Sequence, residues 1–286
     1  MKKILYAFIV LMTFTSCAKS YYIQGSSNIS NLDGRKLYLK GGSADTLITI
    51  DSCDVVHGEF AFRGTLDSVQ IVQVYMDDMN LQFPLVLEEG NIHLKLDNTQ
   101  LNVSGTPLND KLNTFWKKFT QLRNQYVEID HEEGAAIMNG HDEQDTDARL
   151  IKKALQVYAN IDKLFTAFVT ENFDNALSPW GFLTRVSYDM TPNAYPVWMN
   201  DYLYMNAISQ LPSWVEFIIA KAPDSFKANS AIKDFYENFQ RAQKEMNGME
   251  MPAQEPMQTG MAETPNSDIV PPTPAEMAGD TLTARQ

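Results

Sequence analysis

Between residues 21 and 104, apolar and polar positions alternate in short runs separated by turn residues. "YYIQGSSNI", "RKLYLKGG", "TLITIDSC", "EFAFRGTL", "VQIVQVYM", "FPLVLEEG" and "NIHLKLD" each read as a strand. Asp33-Gly34, Gly41-Gly42, His57-Gly58 and Glu89-Gly90-Asn91 supply the turn chemistry between them. Strands at this spacing predict an antiparallel sandwich or barrel over 21–105. Phe60 and Phe62, and Leu94 and Leu96, are two apart and should share a core face.

At Thr106-Pro107 the period changes from two to between three and four. Thr106 suits a helix N-cap and Pro107 the first helical position. Leu108, Leu112, Phe115, Trp116, Phe119, Leu122 and Tyr126 then mark one helix face. A second helix is predicted from about Asp147 to Phe173, after an acidic loop, as the other arm of an antiparallel hairpin. Shorter helices follow near 180–189, 197–209, 213–221 and 229–247, with Pro179, Pro192, Pro196, Pro212 and Pro223 punctuating them. Residues 106–247 thus read as a helical domain. The tail, 248–286, has no apolar period and many Pro, Met, Thr, Ala and Glu, which predicts disorder. The fold class is α+β.

The first residues follow a separate pattern. Lys2 and Lys3 precede an apolar stretch from Ile4 to Phe14, followed by Thr15-Ser16-Cys17. This is the layout of a signal peptide (1–16). The cysteine at its end makes it resemble a bacterial lipoprotein signal, which implies a mature chain starting at a lipidated Cys17, with 17–20 as tether. The apolar run is shorter than the ~20 residues of a membrane span. The implied location is the bacterial cell envelope. Ala18-Lys19-Ser20 lacks an aspartate-type retention signal and an acidic export run, which points to the outer membrane facing the periplasm.

Charge narrows the partners. The formal net charge is -13, and losing Lys2 and Lys3 takes it to -15. Such a chain is unsuited to nucleic acid, whose phosphates call for clustered Lys and Arg, and its membrane contact must come from lipid rather than charge.

Several of these stretches, taken in order, resemble one family. "YIQGSSNISNLDGRKLYL", "IDSCDVVHGEFAFRGTL", "FPLVLEEGNIHLKLD" and "LNVSGTPLNDKLNTF" are similar to the N-terminal domain of unknown function of Bacteroides-type envelope lipoproteins. The resemblance covers about 21–115 and extends more loosely through the helices. In longer relatives that domain often precedes a thioredoxin-like domain of the thiol-disulfide interchange class. This chain instead continues with a cysteine-free tail, so no redox activity is inherited, and the family offers no catalytic residues to carry over. By resemblance, the implied company is thiol-disulfide chemistry carried out by a partner.

The remaining candidates come from residue chemistry. Cys53 is the one cysteine besides Cys17; it is either a reactive thiol or an intermolecular bridge, or else a small apolar filler on a strand, and Asp51 and Asp54 beside it disfavour a thiolate. His131, Glu132, Glu133, His141 and Asp142 lie in the acidic segment 130–147 and form a candidate metal set, against the alternative of a solvated loop; the spacing fits neither HExxH nor an EF-hand. Trp180, Tyr195, Trp198 and Trp214 form either a groove for sugar or peptide or part of the helical core. His57 and His93 read as exposed turn and strand residues. Asp280-Thr281-Leu282 resembles a bacterial O-glycosylation sequon, with Thr281 as the acceptor. No P-loop and no GxGxxG occurs, and no cofactor is expected.

Three readings follow. The first is a non-catalytic module, anchored by its lipid, that binds an envelope protein or glycan. The second is an accessory to thiol-disulfide exchange. The third is a metal-dependent enzyme.

Overall fold

The alternating runs are realised as eight strands in two four-stranded sheets. The computed structural model describes residues 19–29, 32–43, 46–76, 79–97, 101–191 and 194–248. The segment predicted as a signal peptide (1–16), Cys17, the tail beyond 248 and Thr281 lie outside the described residues. The strands are β1 (Lys19–Ser27), β2 (Lys36–Ser43), β3 (Thr46–Asp54), β4 (Glu59–Leu66), β5 (Gln70–Met76), β6 (Met79–Leu87), β7 (Gly90–Leu96) and β8 (Leu101–Ser104). One sheet runs β4-β1-β7-β8 and the other β3-β2-β5-β6. Seven strands match the runs read from sequence. The eighth, β8, spans only four residues, too few to show a period.

The pairing departs from the sequence expectation at one place. β1 lies between β4 and β7 and pairs antiparallel with the first but parallel with the second, so its sheet is mixed. Phe60, Phe62, Leu94 and Leu96 are buried, as their two-residue spacing predicts. Gly25 lets the Phe60 ring close over β1, since a Cβ there would lie 2.1 Å from the ring. β3 turns into β4 through His57 and Gly58, whose φ values of 53° and 75° form a tight two-residue hairpin closed by the Val56–Glu59 bridge.

Along the shared corner, side chains of β3 take over from a backbone ladder. Asp51 accepts the Arg63 N–H at 3.3 Å, and the Cys53 thiol lies near the Ala61 N–H. The Arg63 edge donor of β4 is thereby satisfied without joining the two sheets into a barrel.

The helices are α1 (Pro107–Met138), α2 (Glu143–Glu171), α3 (Leu177–Met190), a 3₁₀ turn (Val197–Met199), α4 (Asn200–Lys221), α5 (Asp224–Lys227) and α6 (Ser230–Gly248). α1 runs further than its apolar stripe suggests and α2 starts earlier, capped by Asp142, which accepts the Asp145 N–H at 2.9 Å. The connection is therefore only 139–142. α4 continues through Pro212, where the sequence reading placed a break. A proline costs a helix one hydrogen bond, and the burial of Leu211, Trp214 and Val215 on either side holds the helix together here.

The described residues divide at Phe239 into one compact unit and a short segment, 240–248. Within the first, sheets and helices share a continuous apolar core. Their junction is polar. Thr106 stands at the N-cap of α1, but its side chain makes no capping bond. Glu88, at the end of β6, caps instead: one carboxylate oxygen accepts the N–H of Leu108 at 2.9 Å and of Asn109 at 3.1 Å. Asn109 donates to the Thr106 hydroxyl at 2.8 Å and exchanges two hydrogen bonds with the Val86 backbone. Gly105, at φ 99°, sits where a Cβ would lie 2.5 Å from the Asn91 carbonyl oxygen. The stretches "LVLEEG" and "SGTPLND" are therefore the two halves of one joint.

Candidate functional site

The richest polar constellation inside the protein is on α2 and α3. Arg185 and Asp189 stand one turn apart on α3, so their side chains meet. Both are buried, and Arg185 Nε donates to Asp189 Oδ2 at 2.9 Å. Arg185 Nη2 donates to the Tyr158 hydroxyl at 2.9 Å and to Asp162 Oδ1 at 3.3 Å, and the Tyr158 hydroxyl donates to Asp189 at 3.2 Å. The guanidinium also lies over the rings of Tyr158, Phe165 and Trp214, at 5.1, 5.7 and 5.6 Å from their centroids.

Burial and pairing act against each other in this cluster. Burial pushes the Asp189 carboxyl up to about 6 although Arg185 pulls it down. Burial works against the Arg185 charge, but Asp189, Tyr158 and Asp162 outweigh it and hold the guanidinium protonated. Burial raises Tyr126, Tyr158 and Tyr195 far above the ordinary phenol range, and Tyr188 to about 12. The phenols therefore stay neutral at physiological pH. Arg185 Nη1, Asp189 Oδ1 and the hydroxyls of Tyr126, Tyr188 and Tyr195 have no protein partner among the described residues. Buried polar atoms of this kind are ordinarily met by internal water. The arrangement can hold a charge pair and order water between helices. Its reactive groups face one another.

The residues singled out in the sequence fall in different places. Tyr195 and Trp214 are buried in the core and cannot line a surface; Trp180 and Trp198 are half-buried and pack against it. Trp198 donates to Asp130 at 3.0 Å and Trp214 to the Thr166 hydroxyl at 2.8 Å. The exposed aromatics of this region are Tyr202 and Phe217, on the outward face of α4. The helical spacing that marks core positions also marks their neighbours, and burial separates the two only once the bundle is assembled.

The candidate metal set is split. His131, Glu132 and Glu133 belong to α1, whereas His141 and Asp142 lie in the connection. Glu132 is engaged by Lys153 and by Arg149, and the Lys153 bond holds its carboxyl below the ordinary range. Asp142 caps α2. Glu133 and His141 do line one depression of about 230 Å³, with Glu143 and Asp147. Among the described residues, no three His, Cys, Asp or Glu side chains are placed to hold one ion.

Cys53 is half-buried on β3. Burial pushes its thiol up to about 11, with Asp51 and Asp54 adding to the effect, so it is protonated at neutral pH. Among the described residues no helix is long and apolar enough to cross a membrane. A groove of about 450 Å³ lies between the start of α1 and the end of α2, lined by Lys111, Thr114, Lys118, Phe168 and Asn172.

Residues 21–112 match the family model of a Domain of unknown function (DUF4369). The match starts in β1 and ends in the first turns of α1, and so includes both halves of the Glu88–Asn109 joint. No curated protein matches the chain.

Proposed function

We propose that this chain, which carries the DUF4369 domain of unknown function over residues 21–112, is a lipid-anchored protein of the bacterial cell envelope that acts by binding an envelope protein. The anchor is Cys17, and the site of action is the periplasmic face of the outer membrane. The observation that carries the binding role is the apolar surface where the 3₁₀ turn meets α4. Val197 is 92% exposed, and Tyr202 and Met205, within the next eight residues of the chain, are exposed too, while Met199 and Leu203 between them are buried. Large apolar side chains grouped on a surface mark partner sites.

The test is crosslinking in the cell envelope. A photoreactive residue at Val197 should capture a discrete protein that one at Lys233, exposed on α6, does not. Met205→Asp should abolish the capture. Equal labelling from both positions, or capture of glycan alone, overturns the reading. Cys17→Ser should release the protein from the membrane fraction and block incorporation of labelled palmitate. Retention of both would remove the anchor.

A further inference from the structure

The outer face of the sheet β4-β1-β7-β8 holds a polar trough. Ile23, Phe62, Ile92, Leu94 and Val103 turn into the core, so the residues one step along each strand turn out. The strand registers set those outward residues in rows across the sheet. Glu59, Ser26, Lys95 and Asn102 form one row, and Ala61, Gln24, His93 and Ser104 form the next. Ser26 is short and stands between two long side chains, Glu59 and Lys95, whose backbones are about 10 Å apart at two strand spacings. A depression of about 410 Å³ lies there, lined by Gln24 and His93 as well. Among the described residues, the side chains of Gln24, Ser26, Glu59, His93, Lys95 and Asn102 make no hydrogen bond or ion pair within the protein beyond the Ser27 turn beside them. Elsewhere on the sandwich such groups are engaged: Lys36 pairs with Asp54 at 3.2 Å, and Arg63 donates to Tyr22 at 3.4 Å.

The chemistry of the lining says what fits. Glu59 only accepts hydrogen bonds and Lys95 only donates them, while the amides of Gln24 and Asn102 and the hydroxyl of Ser26 do both. That mixture matches hydroxyl groups, each of which donates and accepts. It does not match an anion, because Glu59 shares the trough with Lys95 and Asp97 lies two residues beyond. It does not match an added peptide strand, because β1 and β7 each have a bonded neighbour on both sides. No exposed large apolar side chain lines it, and the centre of a protein interface needs one. We propose that the trough is a saccharide site: an uncharged sugar ring sits over Ser26, Glu59 and Lys95 bind its hydroxyls from either side, and Gln24 and Asn102 hold the adjoining units of a short oligosaccharide. Its volume is that of a small-ligand site, about 300–1,000 Å³. The site is on the β region and not on α4, so it stands whether or not the Val197 surface binds a protein and whether or not Cys17 is acylated.

Saturation-transfer NMR on the full chain tests this, in lauryldimethylamine oxide micelles, whose headgroup carries no sugar. The probes are maltotetraose, chitotetraose and tetragalacturonate. At least one of the two uncharged probes should bind at millimolar concentration or below. Gln24→Ala combined with Asn102→Ala should weaken that binding at least fivefold. Ser26→Trp, which fills the trough, should abolish it, and Lys233→Ala on α6 should leave it unchanged. Thermal midpoints check that each variant is folded; should Ser26→Trp lower its midpoint, the amide pair carries the test alone. Binding of neither uncharged probe overturns the site. Equal binding by the amide variant and the unsubstituted chain places the sugar elsewhere and overturns it too. Binding of tetragalacturonate alone, lost in about 0.5 M salt, identifies recognition of charge rather than of hydroxyls and also overturns the proposal.

Discussion

The side-chain amide of Asn109 acts as a strand partner to Val86. Its Nδ2 donates to the Val86 carbonyl at 2.8 Å, and its Oδ1 accepts the Val86 N–H at 2.9 Å. A helix residue thereby completes the hydrogen bonding of β6, while Glu88, two residues further on, completes that of the helix.

This reciprocity sets the first prediction. Asn109→Leu preserves approximate volume but orphans one buried donor and one buried acceptor. It should destabilise the protein by about 2–4 kcal/mol in urea unfolding. A loss within experimental error would show that water replaces the amide.

Arg185→Met should cost about 3–5 kcal/mol, because it leaves Asp189 buried without its counter-charge. The double variant Arg185→Met with Asp189→Leu should recover most of that loss, since both charges leave together. Equal or additive losses from the two changes would show that the pair is not coupled.

Asp189 also predicts a pH dependence. Its folded value, about 6, lies above its ordinary 3.8. A raised carboxyl contributes stability that is full below the unfolded value and is lost as pH rises through the folded one. Relative to Asp189→Asn, the unsubstituted protein should therefore lose stability between about pH 4 and pH 6 and run parallel above pH 7. Denaturation curves at four pH values check this; parallel behaviour throughout would contradict it.

Cys53 should react slowly with iodoacetamide at pH 7 in the folded state, and the rate should climb only as pH approaches the raised value of about 11. Unfolding in urea should restore the rate of an ordinary thiol. Fast labelling of the folded protein at neutral pH would reopen a redox role.

Much of this architecture could be read from residue pattern, and the exceptions have physical causes. Phe60, Phe62, Leu94 and Leu96 declare their faces because a strand alternates every two residues. The parallel partner of β1 does not declare itself, because alternation says nothing about direction. Pro212 suggests a break, but packing around Leu211, Trp214 and Val215 overrides the local cost. Asp130 to Asp147 reads as one polar loop, yet much of it is the solvated outer face of α1 and α2. The Arg185–Asp189 pair was visible as an i,i+4 spacing, but charged pairs at that spacing usually face water, and only the assembled helices bury this one. The capping role of Glu88 was hidden for another reason: the helix it caps is separated from it by two strands.

The place of β1 between β4 and β7 has a kinetic consequence. The first strand to emerge during synthesis gains its antiparallel neighbour only when Leu66 is available and its parallel neighbour only when Leu96 is. Long-range pairings of this kind close slowly. A chain made from its N-terminal end therefore presents residues 19–27 without a partner until about forty further residues have followed, and with one open edge until about seventy have. During the second interval β1 is an open edge beside β4, and the arrival of β7 closes it into the middle of the sheet.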